Sequence, residues 1–439
     1  MFKLVLVEHI AISRSERVLV EIWLPYGKTE VCVRVPTQNL LKIVEPNDAE
    51  PAKNPKSEID LSLANPLGTK RLAEIAKPES KVALVLKDSD TSINQMMISS
   101  LLNELCSAGV KDENITVILA YDPFHDFPSW QQMPTLGDSL SSRVKIVSHD
   151  PEKTEYTNFG RTSRGTEVLV NKAFAEADVK VVAGVVEPHP FVGYSGGADL
   201  VLPGVSNLET VRSSFIFALD GKAERGTVDG NPVYEEAVEA ARLARVDFGL
   251  NIVRNGGFEV VKAFAGGIED SFREAVKIAD TICRVSIDNK ADVVFLSPGG
   301  FPFDASFFEA CRCLDVASNL CKRGKSVVLV AECTYGLGNA DFVAALSRYN
   351  DPKVLEKDLK RNFSLGKLMA YYLLSGFQTT KLFLVSVVPD YLFAEVHGIK
   401  SARTANEAYR YASDIAGKNG KVLFVPNGTL TVPQIKTAN

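Results

Sequence analysis

The segment Glu187-Pro-His-Pro-Phe-Val-Gly-Tyr-Ser-Gly-Gly-Ala-Asp-Leu-Val-Leu-Pro-Gly204 follows directly on an apolar run at residues 179–186. A valine-rich run of this length predicts a buried strand. The strand leads into a lone histidine, His189, and a turn rich in glycine, which permits positive φ and close approach of the backbone to a ligand. Several N–H groups of such a turn can point at one anion. The alternative is a tight turn between two core elements, because a short glycine pattern is common in both settings.

Apolar runs rich in valine and isoleucine recur along the chain and alternate with runs of helical periodicity. This alternation predicts an α/β fold with mostly parallel sheets flanked by helices. Asn231 and Pro232 provide an N-cap and a proline at the first position of one helix. The predicted strands lie at residues 82–86, 115–120, 144–148, 179–186, 293–297 and 327–331, and the predicted helices at 93–108, 233–245 and 268–282.

The length of 439 residues favours two domains. A polar segment at residues 286–290 predicts the division, with an N-terminal domain at 1–285 that holds the His189 loop and a C-terminal α/β domain at 286–439. Ligands of open parallel sheets bind beyond the carboxyl ends of the strands. The loops that follow the predicted strands therefore predict one site in a cleft between the domains.

The composition excludes several classes of partner. A net charge of -5 and a pI near 5.7 give no reason to expect nucleic acid or an anionic membrane. Because no apolar run reaches the roughly 18 residues that a membrane span needs, we expect a cytoplasmic protein. Seven cysteines at scattered spacings argue against a disulfide framework. Cys311 and Cys313, two residues apart on a predicted helix, are expected to pack in the core.

A series of motifs extends the pattern over nearly the whole chain. In this order they resemble the nickel-pincer-dependent lactate racemase family, from Val18 to Pro433. The motifs are Asn-Pro-Leu-Gly at 65–68, the aspartate-threonine turn at 88–92, residues 119–120 with the following loop of His125, residues 171–172 with 177–180, the His189 segment, and residues 297–304, 331–338 and 425–433.

The resemblance implies a lactate-racemase-like fold and an isomerase, a racemase or epimerase that interconverts stereoisomers of 2-hydroxy acids. Its members move the α-hydride of the substrate to a pyridinium-derived nickel-pincer nucleotide and back. A lysine tethers that cofactor and a histidine ligates the nickel. Two further histidines exchange the hydroxyl proton, and cationic side chains hold the carboxylate.

Part of this site is matched residue by residue. His189 matches one catalytic histidine. His125 matches the other after a gap of one residue, since Phe124 occupies the ungapped position. Ser92 stands where the resemblance implies an arginine, and Phe308 where it implies a tyrosine. The residues that match substrate-binding positions are Asp88, Thr91, Ser195, Gly196, Gly197, Glu309 and Arg312.

Two positions that the cofactor needs are replaced. Asp199 stands where the resemblance implies the tethering lysine, and a carboxylate cannot form that bond. Phe215 stands where it implies the nickel-ligating histidine, and phenylalanine cannot ligate a metal. The sequence therefore predicts a diverged active site in which the tether and the nickel ligand are lost. The alternative is that Asp199 is only a cap near the start of a predicted helix.

Three functions stay open at this stage. The first is an isomerase acting on a small hydroxy acid, with a cofactor held noncovalently or by another route. The second is a cofactor-independent isomerase or lyase that uses His189 with His125 or Asp199. The third is a noncatalytic protein that binds a small carboxylate. A further alternative is a divalent metal held by Asp122, His125, His189 and Asp199, while His9, His149 and His397 are assigned to structure or surface.

Overall fold

The computed structural model describes residues 18–87, 91–125, 140, 142–393 and 398–436. These residues form two compact units. The middle unit contains the described residues of 47–123 and 127–283. The terminal unit contains the described residues up to Pro46, Phe124 and His125, and those from Arg284 onward.

The strands of the described residues are bounded as follows. In chain order they are β1 Leu19–Tyr26, β2 Thr29–Pro36, β3 Leu40–Ile43, β4 Val82–Lys87, β5 Ile115–Ala120, β6 Lys145–Ser148, β7 Tyr156–Arg161, β8 Glu167–Asn171, β9 Val179–Val185, β10 Pro188–His189, β11 Gly193–Tyr194, β12 Phe248–Arg254, β13 Val260–Gly266, β14 Arg284–Ile287, β15 Ala291–Leu296, β16 Cys321–Val330, β17 Lys381–Val385, β18 Ile399–Ala402, β19 Val422–Val425 and β20 Val432–Ile435.

The α-helices of the same residues alternate with these strands. They are α1 Pro55–Ala64, α2 Leu72–Ile75, α3 Thr91–Ser107, α4 Lys172–Ala175, α5 Leu208–Phe215, α6 Pro232–Leu243, α7 Ile268–Cys283, α8 Phe307–Ala310, α9 Leu314–Leu320, α10 Ala340–Arg348, α11 Pro352–Leu359, α12 Leu365–Gly376 and α13 Ala405–Ala416. None of the helices in this part of the chain combines the length and the apolar character that a bilayer crossing requires.

The middle unit is built on a six-stranded sheet in the order β13-β12-β9-β4-β5-β6. Its strands are parallel except for β13, which runs antiparallel to β12 at one edge. The apolar strands are buried because helices cover them, as Leu84 of β4 and Leu101 of α3 illustrate in one continuous core. The predicted α/β fold with mostly parallel sheets is confirmed.

The connections of this sheet reverse direction between β4 and β9. The chain runs from β4 outward to β5 and β6 on one side, and later returns to β9 and β12 on the other side. The reversal lies between β4 and β9, whose parallel register includes Leu86 opposite Ala183. In open α/β sheets, ligands bind beyond the carboxyl ends of the strands at such a reversal. Lys87 and the segment from Glu187 lie at these two ends.

The terminal unit has a parallel sheet of its own, in the order β18-β17-β16-β15-β19-β3. The hairpin of β1 and β2 packs on it, with Leu24 and Val33 fully buried in the same core as Phe295 and Phe424. Cys311 and Cys313 are also fully buried, which confirms their predicted place in the core. Burial holds the pKa of the Cys311 thiol well above its usual range.

The first strands of the chain belong with the last sheet. β3 pairs in parallel with β19, and Leu40 lies opposite Val422. The sequence analysis assigned residues 1–285 to one domain and 286–439 to the other. In the structure the unit boundary falls between Cys283 and Arg284, and the described residues up to Pro46 belong to the terminal unit. The difference arises because a strand's partner is set by pairing across the whole chain and leaves no local signal.

His149 is a structural residue of the middle unit. Its Nε2 lies 2.9 Å from the Ser206 carbonyl oxygen and its Nδ1 lies 3.1 Å from the Asn171 side-chain nitrogen. The ring is therefore a neutral imidazole that donates from Nε2 and accepts at Nδ1. Burial lowers the pKa of His149 below its ordinary value of 6.5, although the Ser206 carbonyl opposes this shift.

This histidine makes the stability of the chain depend on pH. The unfolded chain takes up a proton at His149 as the pH falls below 6.5, whereas the folded chain does so only at lower pH. Stability from this residue is therefore present above pH 6.5 and lost as the pH falls toward the folded pKa. We expect the His149→Gln variant to be less stable at pH 7.5 but to lose less in thermal midpoint on going to pH 5.5. Equal losses in both proteins would contradict the assignment.

Candidate functional site

The turn after β9 is shaped by contacts within the protein. Pro188 and His189 pair with Gly193 and Tyr194 in a small antiparallel hairpin. Gly193 has φ +81°, and a Cβ there would lie 2.0 Å from the Thr227 carbonyl oxygen. A side chain is thus excluded by backbone packing. The expectation that glycine opens this turn for a ligand is replaced, at this position, by a packing requirement.

Two backbone N–H groups of the turn donate hydrogen bonds to acceptors within the protein. The N–H of Ser195 donates to the Glu187 carbonyl oxygen at 2.8 Å, and the N–H of Gly196 donates to Asp199 Oδ1 at 2.9 Å. Gly197 is buried against Phe272 and begins a short 3₁₀-helix, Gly197–Leu200. The anion-binding role expected for these N–H groups therefore competes, at Ser195 and Gly196, with existing hydrogen bonds.

His189 is 3% exposed and its ring is oriented by the backbone. Its Nδ1 accepts the N–H groups of Phe191 and Val192, each at 3.2 Å. An imidazole that accepts at Nδ1 carries its proton on Nε2 when it is neutral. The fold therefore gives His189 the form of a hydrogen-bond donor at Nε2. A neutral donor of this kind polarises a substrate oxygen, and a proton acceptor would need the other tautomer.

Asp199 is buried and lies in a cluster of charges with the partly exposed Lys87 and Asp122. The Lys87 ammonium is 3.6 Å from Asp199 Oδ2 and 3.3 Å from Asp122 Oδ2. Burial raises the pKa of the Asp199 carboxyl, and the charge of Lys87 opposes that rise. With Gly196 on its other oxygen, Asp199 combines the predicted capping role with an ion pair.

Lys87 is the residue of this cluster that the sequence analysis missed. It is the last residue of β4, directly after five buried apolar residues. A charged side chain at the carboxyl end of a buried parallel strand is a signal that could have identified it. Arg254 was also missed, although it ends β12 and its guanidinium contacts Glu187, two residues after the end of β9.

Phe215 is a core residue at the end of α5. It is fully buried and contacts Phe191 edge to face, with ring centroids 6.5 Å apart. Phe191 in turn contacts the His189 ring at 6.0 Å. The position where the resemblance implies a nickel-ligating histidine therefore holds an aromatic side chain within an apolar cluster, next to the support of His189.

A second group of site residues lies in the terminal unit. His125 Nδ1 is 3.0 Å from Glu309 Oε1, and the Glu309 side chain is 3% exposed. Phe124 stacks on Phe308 with ring centroids 6.5 Å apart. The Arg312 guanidinium lies 5.9 Å from the Phe124 ring centroid. The structure thus brings together His125, Glu309 and Arg312, which the sequence analysis derived from distant motifs.

The remaining predicted residues are peripheral or undescribed. Thr91 begins α3, and Ser92 next to it is exposed. Asp88 lies outside the described residues, as do His9 and His397. Over the described ranges, no three His, Cys, Asp or Glu side chains come together as a metal ion would need. The alternative metal site of Asp122, His125, His189 and Asp199 is therefore not assembled.

Family models and relatives agree over most of the chain. The lactate racemase N-terminal domain matches residues 26–226, and the lactate racemase C-terminal domain matches residues 287–432. This chain belongs to the lactate racemase family. Among the relatives of this lactate racemase family member, the lactate racemase of Thermoanaerobacterium thermosaccharolyticum is 26% identical over 95% of this chain and 100% of its own length. The lactate racemase of Lactiplantibacillus plantarum is 26% identical over 93% and 99%.

Solved structures give the same fold. The lactate racemase apoprotein from Thermoanaerobacterium thermosaccharolyticum has a TM-score of 0.84 and 25% identity, covering 94% of this chain and 100% of its own. A crystal structure of a Thermotoga maritima protein has a TM-score of 0.67 at 16% identity, covering 89% of this chain and 100% of its own, and supports the fold alone. The lactate-racemase-like fold expected from the motifs is confirmed.

At the two positions where the resemblance implies a tethering lysine and a nickel-ligating histidine, this lactate racemase family member has residues that do not fit a covalently attached nickel-pincer nucleotide. At the tether position, the Asp199 carboxylate accepts from Gly196 and pairs with Lys87, so the group there is an acceptor and not an amine. At the nickel-ligand position, Phe215 offers no lone pair and packs against Phe191. Neither residue offers the donor group that the resemblance implies at its position.

Proposed function

We propose that this chain binds a small hydroxy-carboxylate and isomerises it by proton transfer at the α-carbon, without a covalently attached nickel cofactor. The observation that carries this proposal is Asp199, a buried carboxylate engaged by Gly196 and Lys87 at the tether position. Without the tether a nucleotide could be held only noncovalently, and inversion in this proposal proceeds instead by removal and return of the α-proton.

The side chains of the site suit this chemistry. Inversion by proton transfer needs a proton acceptor on one face of the α-carbon, a proton donor on the opposite face that returns a proton, and a positive group that stabilises charge on the carboxylate oxygens. His189 has the donor form at Nε2, since its Nδ1 accepts two backbone N–H groups. His125, next to Glu309, is the candidate acceptor. Arg312 is the candidate partner of the substrate carboxylate, because guanidinium pairs with carboxylate through two parallel hydrogen bonds.

The test is exchange at the α-carbon in deuterated water. Purified protein, made together with the enzymes that synthesise the cofactor, is incubated with lactate, malate and sugar acids and followed by NMR. We expect intact-mass spectrometry to show no nucleotide adduct, and at least one acid to exchange its α-proton for deuterium as it isomerises. The Arg312→Ala variant should weaken binding of that acid, and the Lys28→Ala variant, altered in the exposed turn between β1 and β2, serves as the matched control.

Other outcomes separate the alternatives. An adduct of nucleotide mass, or isomerisation without exchange, would contradict the proposal and favour the hydride route of the family. Binding of an acid without exchange or isomerisation would favour a noncatalytic carboxylate-binding protein. That alternative has one observation in its favour, which is that the amides of Ser195 and Gly196 already have acceptors within the protein. The cleft between the domains stays a prediction.

A further inference from the structure

In the terminal unit, the position of Glu309 beside His125 determines which ring nitrogen of the histidine carries the proton. Glu309 Oε1 lies 3.0 Å from His125 Nδ1, within hydrogen-bonding distance. Glu309 is 3% exposed whereas the His125 side chain is 32% exposed, so the carboxylate lies on the buried side of the ring. A carboxylate has only acceptor oxygens, and the ring nitrogen facing it must therefore carry the proton.

We infer that Glu309 is a positioning residue that holds His125 in the tautomer protonated at Nδ1, which makes Nε2 the proton acceptor of the site. The inference rests on the proposed function for the use of that acceptor. It gives Glu309 a different role from the one that the sequence analysis assigned, which was direct contact with the substrate.

The surroundings of Glu309 fix its position. Glu309 lies in the first turn of α8, where the Ser306 hydroxyl accepts the Glu309 N–H at 3.2 Å as the N-cap. Phe308, the residue before Glu309, is fully buried. Its ring contacts that of Phe342, with centroids 5.3 Å apart, and stacks on that of Phe124. Phe124 directly precedes His125, and Phe308 directly precedes Glu309. The contact between these two phenylalanine rings therefore holds the backbone next to both members of the pair.

The charge of Glu309 adds an effect that orientation alone lacks. When His125 Nε2 takes up a proton, the ring becomes an imidazolium with an N–H donor on each nitrogen. A buried carboxylate at Nδ1 stabilises that cation, and it also keeps the ring from turning as the proton arrives. An amide oxygen in the same place would keep the orientation and lose the charge.

The two site histidines consequently have opposite proton arrangements. His189 accepts at Nδ1 from the N–H groups of Phe191 and Val192, so that Nε2 is its donor. His125 donates from Nδ1 to Glu309, so that Nε2 is its acceptor. Each arrangement is set by contacts within one unit.

Ring ¹⁵N spectra test the inference without any substrate. The chain has five histidines, so selective ¹⁵N labelling gives few signals, and the His125→Asn variant identifies those of His125. We expect a protonated Nδ1 and an unprotonated Nε2 for His125 in the native protein. In Glu309→Leu the ring should move toward the opposite tautomer, whereas Glu309→Gln, which keeps an acceptor oxygen and the size of the side chain, should preserve it. His149 serves as the internal control, since its Nε2 faces the Ser206 carbonyl and none of the substitutions changes either residue.

Turnover is the second measurement that tests the inference. In the α-exchange assay, Glu309→Leu should lower turnover roughly 10²-fold and Glu309→Gln by a smaller factor, with little change in the KM for the acid. A native His125 protonated at Nε2, or an unchanged His125 spectrum in Glu309→Leu, would overturn the inference whether or not the protein is active. The expected spectra in a protein that exchanges no α-proton would support the pairing and overturn the proposed function.

Discussion

The His189→Asn variant is expected to lose turnover by roughly 10²- to 10⁴-fold, with a much smaller change in substrate affinity. The asparagine oxygen lies near the position of the histidine Nδ1, so it can still accept the N–H groups of Phe191 and Val192, which bond to Nδ1 at 3.2 Å each. The variant thus keeps the hairpin and removes only the N–H at Nε2. The measurement is α-proton exchange in deuterated water under saturating substrate.

A matched variant separates the two roles of an imidazole at this position. Glutamine places an amide nitrogen near the position of Nε2, so His189→Gln restores an N–H donor but cannot transfer a proton near neutral pH. If His189 acts as a donor that polarises the substrate, His189→Gln should recover a part of the lost turnover. Equal losses in the two variants would show that His189 transfers the proton itself, and normal turnover in His189→Asn would remove it from the active site.

The second large effect concerns stability and the charge cluster of the middle unit. Replacing Asp199 by lysine is expected to lower the free energy of unfolding by about 3–5 kcal/mol, because it leaves a buried cation beside the ammonium of Lys87. Asp199 is 5% exposed, and Lys87 lies 3.6 Å from its carboxylate. Urea unfolding monitored by circular dichroism gives the free energy directly.

Exchanging the two residues should recover much of this loss. In the double variant Lys87→Asp with Asp199→Lys, the ammonium lies between the carboxylates at positions 87 and 122, so one attractive pair replaces another. Additive losses in the double variant would show that the pair contributes no coupling energy. Glu155→Lys is the control, since Glu155 pairs with Lys172 on the surface with 78% of its side chain exposed, and we expect little change there.

The fold could be predicted from the sequence where the signal is local. The run at 115–120 is β5 without a change of bounds, and Asn231 caps α6 by accepting the N–H groups of Val233 and Tyr234. Valine-rich runs form buried parallel strands because their apolar side chains must be covered on both faces. Caps and prolines mark the first turn of a helix through contacts within four residues. Such signals do not depend on the rest of the chain.

The site residues chosen from the sequence stay predictions, and the structure adds the partners that determine their chemistry. His189, His125, Glu309 and Arg312 were all selected as site residues, but the partners that fix their chemistry come from distant parts of the chain. Glu309, for example, follows His125 by 184 residues and yet lies 3.0 Å from its ring. Lys87 escaped notice because its meaning depends on Asp199, a partner that only the folded sheet brings to it. A side chain's proton arrangement is a property of its neighbours in space.

The pairing of β3 with β19 has a consequence for how the chain leaves the ribosome. At about 5–20 residues per second, the strand Leu40–Ile43 waits on the order of 20–80 seconds for Val422–Val425 to be synthesised. The middle unit is complete in sequence well before that moment, so it can fold while the hairpin of β1 and β2 still lacks the sheet that covers it. An uncovered strand is a template for pairing with other chains. Nascent chains that stall after the middle unit should therefore depend most on chaperones.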